Sequence, residues 1–300
     1  MSGDVLPLFV PIYVVDAFTE RPFHGNQAAV CLVSPGQVLT DEQMQKVGTE
    51  MNLSETAFIS LDKGDFVTAN SFGLRWFTPT NEVDICGHAT LASAAVLFKE
   101  LGNSSSEITF ASRSGPLVVK RFDQNKISLN FPEDTPTPVN LADFADLLKV
   151  AVNDQSIIQD VQISKYQYLL VRLKDDVKRE TFEALKPQVD KMIEADVNKS
   201  VKGIGITLKG SRENGCVDSK GNVYDFVSRF FSPWNGVSED PVTGSWHVVA
   251  GPYWAKELNK LNFYARQCSK RGGDLWVTVE KDRVVFTGDS VVNLRGTFSL

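Results

Sequence analysis

Two stretches decide the fold: RWFTPTNEVDICGHATLASAAVLFKEL, from Arg75 to Leu101, and RFFSPWNGVSEDPVTGSWHVVAGPYWAKEL, from Arg229 to Leu258. Each opens with Arg, two aromatic residues, a hydroxyl residue and Pro, and each closes with Lys-Glu-Leu. Arg75 stands four positions before Pro79, as Arg229 does before Pro233, and Gly87 stands fourteen before Leu101, as Gly244 does before Leu258. Only the loop between Pro and Gly differs, by three residues. Shared punctuation of this kind marks an internal repeat: two copies of a strand, a loop and a helix that begins at Gly87 or Gly244. The alignment sets Cys86 against Thr243 and His88 against Ser245.

The first helix is nearly all apolar from Ala89 to Phe98, which predicts a buried helix, with Gly102 as the left-handed residue that ends it. Pro252 lies inside the second helix and predicts a kink or a break there. Strands are predicted at Tyr13–Phe18, Ala28–Val33, Ala57–Leu61, Ile108–Phe110, Leu117–Arg121, Ile127–Phe131, Tyr168–Leu173, Gly203–Thr207, Leu275–Glu280 and Arg283–Thr287. Short helices are predicted at Asp41–Met51, at Leu141–Val150 and within Thr181–Val197. Short strands joined by hairpins, with few long helices, describe an α+β protein with antiparallel sheets. A buried helix in each half needs a sheet curved round it. The Pro-rich segment Pro132–Asn140 is the candidate linker. The halves are therefore placed at 1–131, with the C-terminal strand near 288–300 added, and at 132–287.

With 42% hydrophobic and 23% charged residues over 300 positions, the composition is that of a globular protein that needs no disulfide or metal for stability. A net charge of −6 without a dense Lys/Arg run argues against nucleic acid and anionic membrane as partners. Cys31, Cys86, Cys216 and Cys268 are far apart and form no CxxC pair, which suits reduced thiols. Asp4 precedes any base, Pro7 and Pro11 interrupt the first apolar stretch, and no apolar run reaches the length of a membrane span. A cytoplasmic location is the expectation.

Only three histidines are present: His24, His88 and His247. A lone histidine is most often a structural residue, but His88 falls at a helix start. There, free N–H groups and a partial positive charge suit a carboxylate or an enolate-like charge. Glu55 follows Asn52-Leu53-Ser54 and has two readings. It closes a capping box on Asn52, or it stands at a strand mouth, where partial desolvation raises its pKa toward the working pH and makes it a base. Asp240, before Pro241, and Ser245 read as turn or cap residues from pattern alone. There is no Gly-x-Ser-x-Gly elbow, Walker A sequence or GxGxxG, and the histidine spacing indicates no metal.

The segments DAFTERPFHGNQAAV, EMNLSETAF, LRWFTPTNEVDICGHATLASA, SRFFSPWNGVSEDPVTGSWH and SKRGGDL, spread from residue 15 past residue 270, resemble the successive signatures of the PhzF-like phenazine-biosynthesis family. The resemblance implies a diaminopimelate-epimerase-like fold, two similar α+β domains each with a sheet round a central helix and the site between them. It also implies a homodimer and an isomerase that moves a proton with a glutamate and no cofactor. By motif that glutamate is Glu55. His88, Asp240 and Ser245 are the supporting residues, and the backbone at Gly87 and Gly244 holds a substrate carboxylate. Related racemases use a cysteine before each of the paired glycines. Here those positions are Cys86 and Thr243, so a two-thiol mechanism is not expected and Cys86 reads as a packed small residue. Gln27 replaces the family's usual Pro, and Trp246 stands where a small residue is common, which leaves the pocket and its substrate open. Two rival expectations remain: a non-catalytic protein that binds a regulatory protein partner on the same scaffold, and a racemase acting through Cys86.

Overall fold

The computed structural model describes residues 8–122 and 126–300. Asp4 and Pro7, on which the reading of the N-terminus partly rests, lie outside the described residues. The chain forms two compact units. One reaches to Asn130 and includes Thr287–Leu300, and the other is Phe131–Phe286.

In the first unit the order is β1 (Phe9–Ala17), β2 (Asn26–Val33), α1 (Asp41–Met51), β3 (Glu55–Ser60), β4 (Ser71–Phe77), β5 (Glu82–Val83), α2 (Gly87–Ala95), β6 (Glu107–Ser112) and β7 (Gly115–Arg121). β8 (Ile127–Pro132) leads to the second unit. The second unit holds β9 (Thr137–Pro138), α3 (Ala145–Ala151), β10 (Ile158–Ile163), β11 (Tyr168–Leu173), α4 (Arg179–Glu183), α5 (Val189–Ala195), β12 (Gly203–Lys209), β13 (Phe226–Ser232), β14 (Val237–Asp240), α6 (Gly244–Leu258), β15 (Asn262–Gln267) and β16 (Gly273–Glu280). β17 (Arg283–Gly288) leads back, and β18 (Ser290–Ser299) pairs antiparallel with β1.

The repeat extends through the strand pairings. β1–β2 and β10–β11 are antiparallel, β2–β3 and β11–β12 parallel, and β3–β4 and β12–β13 antiparallel. β4–β6 and β13–β15 are parallel, and β6–β7 and β15–β16 antiparallel. Each sheet is therefore mixed, where antiparallel sheets were expected. A helical crossover, α1 in one unit and α4 with α5 in the other, returns the chain to the end of the sheet it left, and a parallel neighbour results. The sequence signal for a strand carries no direction.

The repeated arginine explains the shared punctuation. Arg75 forms a two-pronged ion pair with Glu82 (Nε–Oε1 and Nη2–Oε2, both 2.7 Å) and lies over the ring of Phe77 at 5.1 Å. Arg229 does the same with Glu239 (2.7 and 3.0 Å) and Phe231, also at 5.1 Å. Glu82 is seven positions from its arginine and Glu239 ten, so the three extra residues of the second loop lie between the partners of this clamp. Paired planar hydrogen bonds of this kind fix geometry as well as charge.

α2 packs against β1, β2, β3 and β18, and every residue from His88 to Ala95 is buried. It continues as a π-helical turn, Val96–Glu100, and Gly102 follows in the left-handed conformation at φ 67°. α6 packs against β11 and β16 and runs through Pro252 without interruption, contrary to the predicted break. Proline at position 252 has no N–H to give the carbonyl of Val248. That carbonyl instead accepts the backbone N–H of Asp134 at 3.0 Å, which removes the main cost of the proline. Leu141–Val150 resolves into a 3₁₀ turn, Leu141–Phe144, followed by α3. Among the described residues no helix is long and apolar enough to cross a membrane.

Candidate active site

α1 starts with a Thr40–Gln43 capping box and stops at Asn52, which adopts a left-handed φ of 50°. Asn52 is thus the end of a helix and not the start of one, and the capping reading of Glu55 falls. Glu55 opens β3 instead, beside Ala28 of β2 and one residue before the pairing of Thr56 with Phe77. α2 begins three residues after the short strand β5, with Cys86 as its N-cap in extended conformation and no side-chain cap bond.

These elements assemble one cluster inside the first unit. The His88 Nε2 atom lies 3.0 Å from Glu55 Oε2 and 3.2 Å from Ser54 Oγ. Its Nδ1 atom lies 3.1 Å from Asn26 Nδ2 and 3.5 Å from Cys86 Sγ. Ser54 Oγ also donates to the carbonyl of Gln27 at 3.1 Å and reaches Asn26 Oδ1 at 3.4 Å. His88 is 4% exposed and Asn26 fully buried, whereas the Glu55 side chain keeps 17% of its surface.

Burial works to raise the Glu55 pKa, as the sequence reading supposed. The positive charge of His88 and hydrogen bonds from His88, Ser54 and Cys86 outweigh it and hold the carboxyl below its ordinary value, so the expected upward shift is overturned. Burial likewise opposes charge on His88, yet its neighbours push the imidazole well above its ordinary value. Cys86 is raised, first by burial and then by the Glu55 charge, so it is a thiol near neutral pH, and the charge that sustains the imidazolium is that of Glu55. The ligating atoms of Glu55, Cys86 and His88 lie within 4.8 Å of one another. Glu55 and Cys86, however, address opposite nitrogens of the ring. That is the arrangement of a hydrogen-bond chain more than of a chelate.

The second unit repeats the scaffold with different chemistry. Asp240 ends β14, and its Oδ2 accepts the hydroxyl of Thr243 at 2.5 Å. Gln267, at the end of β15, accepts the Thr243 N–H at 2.9 Å and donates to the Asp240 carbonyl at 2.7 Å and to Thr243 Oγ1 at 3.1 Å. Ser269 donates to the Pro241 carbonyl at 2.8 Å. Thr243 is the N-cap of α6, again without a side-chain cap bond. Ser245 is therefore not the cap. It lies in the first turn, and its hydroxyl is 3.2 Å from that of Tyr168, whose pKa burial raises.

Trp246 is fully buried, stacks on Phe230 at 5.7 Å and fills the space left by Gly205, where a Cβ would come within 2.2 Å of the indole. It is a packing residue of the second unit. His247 is also structural: its Nδ1 lies 2.7 Å from the Thr243 carbonyl, and burial lowers its pKa to about 4. In the first copy Thr90 Oγ1 donates to the Cys86 carbonyl in the same way, at 2.5 Å.

The sequence motifs thus place Glu55, His88 and Gly87 together in the first unit, and Asp240, Gly244 and Ser245 together in the second. The reading missed Asn26, Ser54, Tyr168, Gln267 and Ser269. Asn26 and Ser54 stand inside quoted motifs, but only the pairing of β2 with β3 shows what they touch.

The chain matches the phenazine biosynthesis-like protein family (PhzC-PhzF) over residues 15–296. It is 44% identical over 294 residues to the phenazine biosynthesis-like domain-containing protein of Bos taurus, covering 97% of this chain and 99% of that one. It is 40% identical over 292 residues to an uncharacterized isomerase of Halalkalibacterium halodurans, covering 97% and 98%. A crystal structure of a PhzF-family phenazine biosynthesis protein from Enterococcus faecalis superposes with a TM-score of 0.83 at 35% identity, covering 98% of this chain and all of that one. The fold is of the diaminopimelate-epimerase-like α+β kind, and the chain belongs to the phenazine biosynthesis-like (PhzC-PhzF) family.

Proposed function

We propose that the protein is an isomerase that moves a proton on a small carboxylate-bearing substrate without a cofactor, with Glu55 as the acid/base. The observation that carries this reading is the Glu55–His88 pair at 3.0 Å, with the histidine in the first turn of a buried helix. A carboxyl held below its ordinary value is ionised at neutral pH and ready to accept a proton from carbon. The imidazolium beside it favours the negative charge that this transfer leaves on the substrate. Glu55 then returns the proton to a second carbon as the double bond shifts, so no electrons or atoms are gained or lost.

The substrate carboxylate is assigned to the backbone N–H groups at Gly87, where a helix start favours an anion. The name isomerase carried by the Halalkalibacterium halodurans relative supports the reaction class.

The test is solvent deuterium incorporation into a panel of small unsaturated carboxylates, by the wild-type protein and by Glu55→Gln. Loss of a base of this type slows exchange by about 10²–10⁴-fold. An equal rate in the two proteins would remove Glu55 from the mechanism.

A further inference from the structure

The two members of the Glu55–His88 pair differ in what a substrate can reach. His88 has protein on both sides of its ring: Nε2 lies 3.0 Å from Glu55 Oε2 and 3.2 Å from Ser54 Oγ, and Nδ1 lies 3.1 Å from Asn26 Nδ2 and 3.5 Å from Cys86 Sγ. The residue is 4% exposed. A substrate would have to displace one of these neighbours to touch either nitrogen. Glu55 is two-sided. Oε2, the oxygen that meets the imidazole, is sealed from solvent, while the side chain as a whole keeps 17% of its surface. The oxygen left to meet a substrate is Oε1.

The imidazolium therefore acts on the reaction from behind the carboxylate. An opposite charge within about 4–6 Å favours the ionised form of a carboxyl by about 1–3 pH units. Burial, the largest single influence on Glu55, works the other way, and without His88 it is opposed by Ser54 and Cys86. Besides its own members, the titratable group that faces the pair is Cys86, the N-cap of α2. The neutral Asn26 comes from β2 and the neutral Ser54 from the residue before β3.

We propose that Glu55 takes and returns the proton through Oε1, and that His88 is a positioning residue that braces Oε2 from behind and does not touch the substrate. This rests on the isomerase reading of Glu55 and deepens it by separating the oxygen that works from the oxygen that is held. Oε1 gains the hydrogen that leaves carbon, and the electron pair of the broken C–H bond stays on the substrate. Return of the hydrogen to the second carbon restores the carboxylate, so the imidazolium keeps its protons throughout.

The experiment compares wild type with His88→Gln in two measurements. One is an NMR titration of the protein labelled with ¹³C in its glutamate carboxyls. The other is deuterium exchange between about pH 4 and pH 9 into the carboxylate of the panel that wild type exchanges fastest. In His88→Gln the Glu55 midpoint rises by about 1–3 pH units, and the acid limb of exchange rises with it, so that exchange lost at low pH returns as the pH is raised. Exchange that falls by one factor at every pH overturns the proposal, because it marks a group that touches the substrate. A Glu55 midpoint that does not move overturns it as well. If His88→Gln does not fold, a ¹⁵N titration of the His88 ring in Glu55→Gln carries the test: the midpoint falls by about 1–3 pH units where the two side chains brace each other as charges, and an unmoved midpoint refutes the brace. The two failures are separable. Wild-type exchange by Glu55→Gln sinks the isomerase reading, whereas loss of exchange in Glu55→Gln beside a uniformly slowed His88→Gln sinks this proposal alone.

Discussion

Replacing His247 with Gln should flatten the acid side of the stability profile of the second unit. His247 lies within α6, fully buried, with Nδ1 against the Thr243 carbonyl. Burial lowers its pKa from 6.5 to about 4. In the unfolded chain the ring protonates near its ordinary value, so between those limits the unfolded state binds the proton that the folded state refuses. The stability this neutral ring contributes is fully present above pH 6.5 and lost as pH falls toward 4. One pKa unit corresponds to about 1.4 kcal/mol, so the full loss is about 3 kcal/mol, of which about 2 kcal/mol falls between pH 7 and pH 5. His88 has the opposite sign, since its raised pKa stabilises the fold at low pH and that contribution is lost as pH rises through the raised value. Comparing the variant with wild type at each pH cancels that term.

Urea unfolding followed by tryptophan fluorescence is the suitable assay. Four of the five tryptophans (Trp234, Trp246, Trp254 and Trp276) belong to the second unit, and Trp246 and Trp254 are fully buried. The variant loses the bond to the Thr243 carbonyl at every pH, which is a constant offset. The difference between wild type and variant should shrink by about 2 kcal/mol from pH 7 to pH 5. A difference that stays constant would mean that His247 titrates normally in the folded state, and the argument from burial would be wrong.

Gly205→Ala sets a Cβ within 2.2 Å of the Trp246 ring and should cost about 1–3 kcal/mol in the same urea assay, while an unchanged midpoint would show that the indole has room to move. Glu239→Ala should cost about 2 kcal/mol and Glu82→Ala about 1 kcal/mol, because the Arg229 side chain is 10% exposed and that of Arg75 is 30% exposed and keeps Asp41 as a partner. The reverse order by chemical denaturation would contradict this reading of the two clamps. Cys86→Ala should keep deuterium exchange within about twofold, and the native thiol should resist alkylation at pH 7, since burial keeps it protonated. Abolished exchange in Cys86→Ala would restore the cysteine mechanism.

The repeat was legible because a clamp leaves a fixed signature: an arginine, an aromatic residue two positions on and an acid beyond the loop. Buried α2 was legible because no face of it is polar. What the sequence did not disclose depends on partners far along the chain. The Val248 carbonyl is rescued by Asp134, more than a hundred residues earlier, so a local rule about proline did not foresee that α6 runs on unbroken through Pro252. The direction of the Glu55 shift turned on His88, thirty-three residues later in sequence and 3.0 Å away. Burial was read correctly as a force that raises the pKa, but its magnitude against a neighbouring imidazolium could be weighed only with both groups in place.

The two copies differ at most positions of the helix, and at its start the differences are chemically one-sided. Cys86, His88 and Thr90 at the start of α2 correspond to Thr243, Ser245 and His247 at the start of α6. In both copies the fourth helical residue engages the carbonyl of the N-cap, Thr90 through its hydroxyl and His247 through its ring, so this position serves the helix and has exchanged residue type freely. The second helical residue behaves differently. His88 has an acid on one side and an amide on the other, whereas Ser245 has a phenol. Glu55 opens β3 just before the β3–β4 pairing at Thr56 and Phe77. The residue at the same place before the β12–β13 pairing at Ile204 and Phe231 is Gly203, which faces the rings of Phe230 and Tyr168. A paired carboxylate and imidazole at this helix start therefore belong to the first copy, while the second keeps hydroxyls and a carboxylate that accepts one of them. Duplication supplied two equal helix starts, and a proton-moving site needs a titrating pair at only one of them.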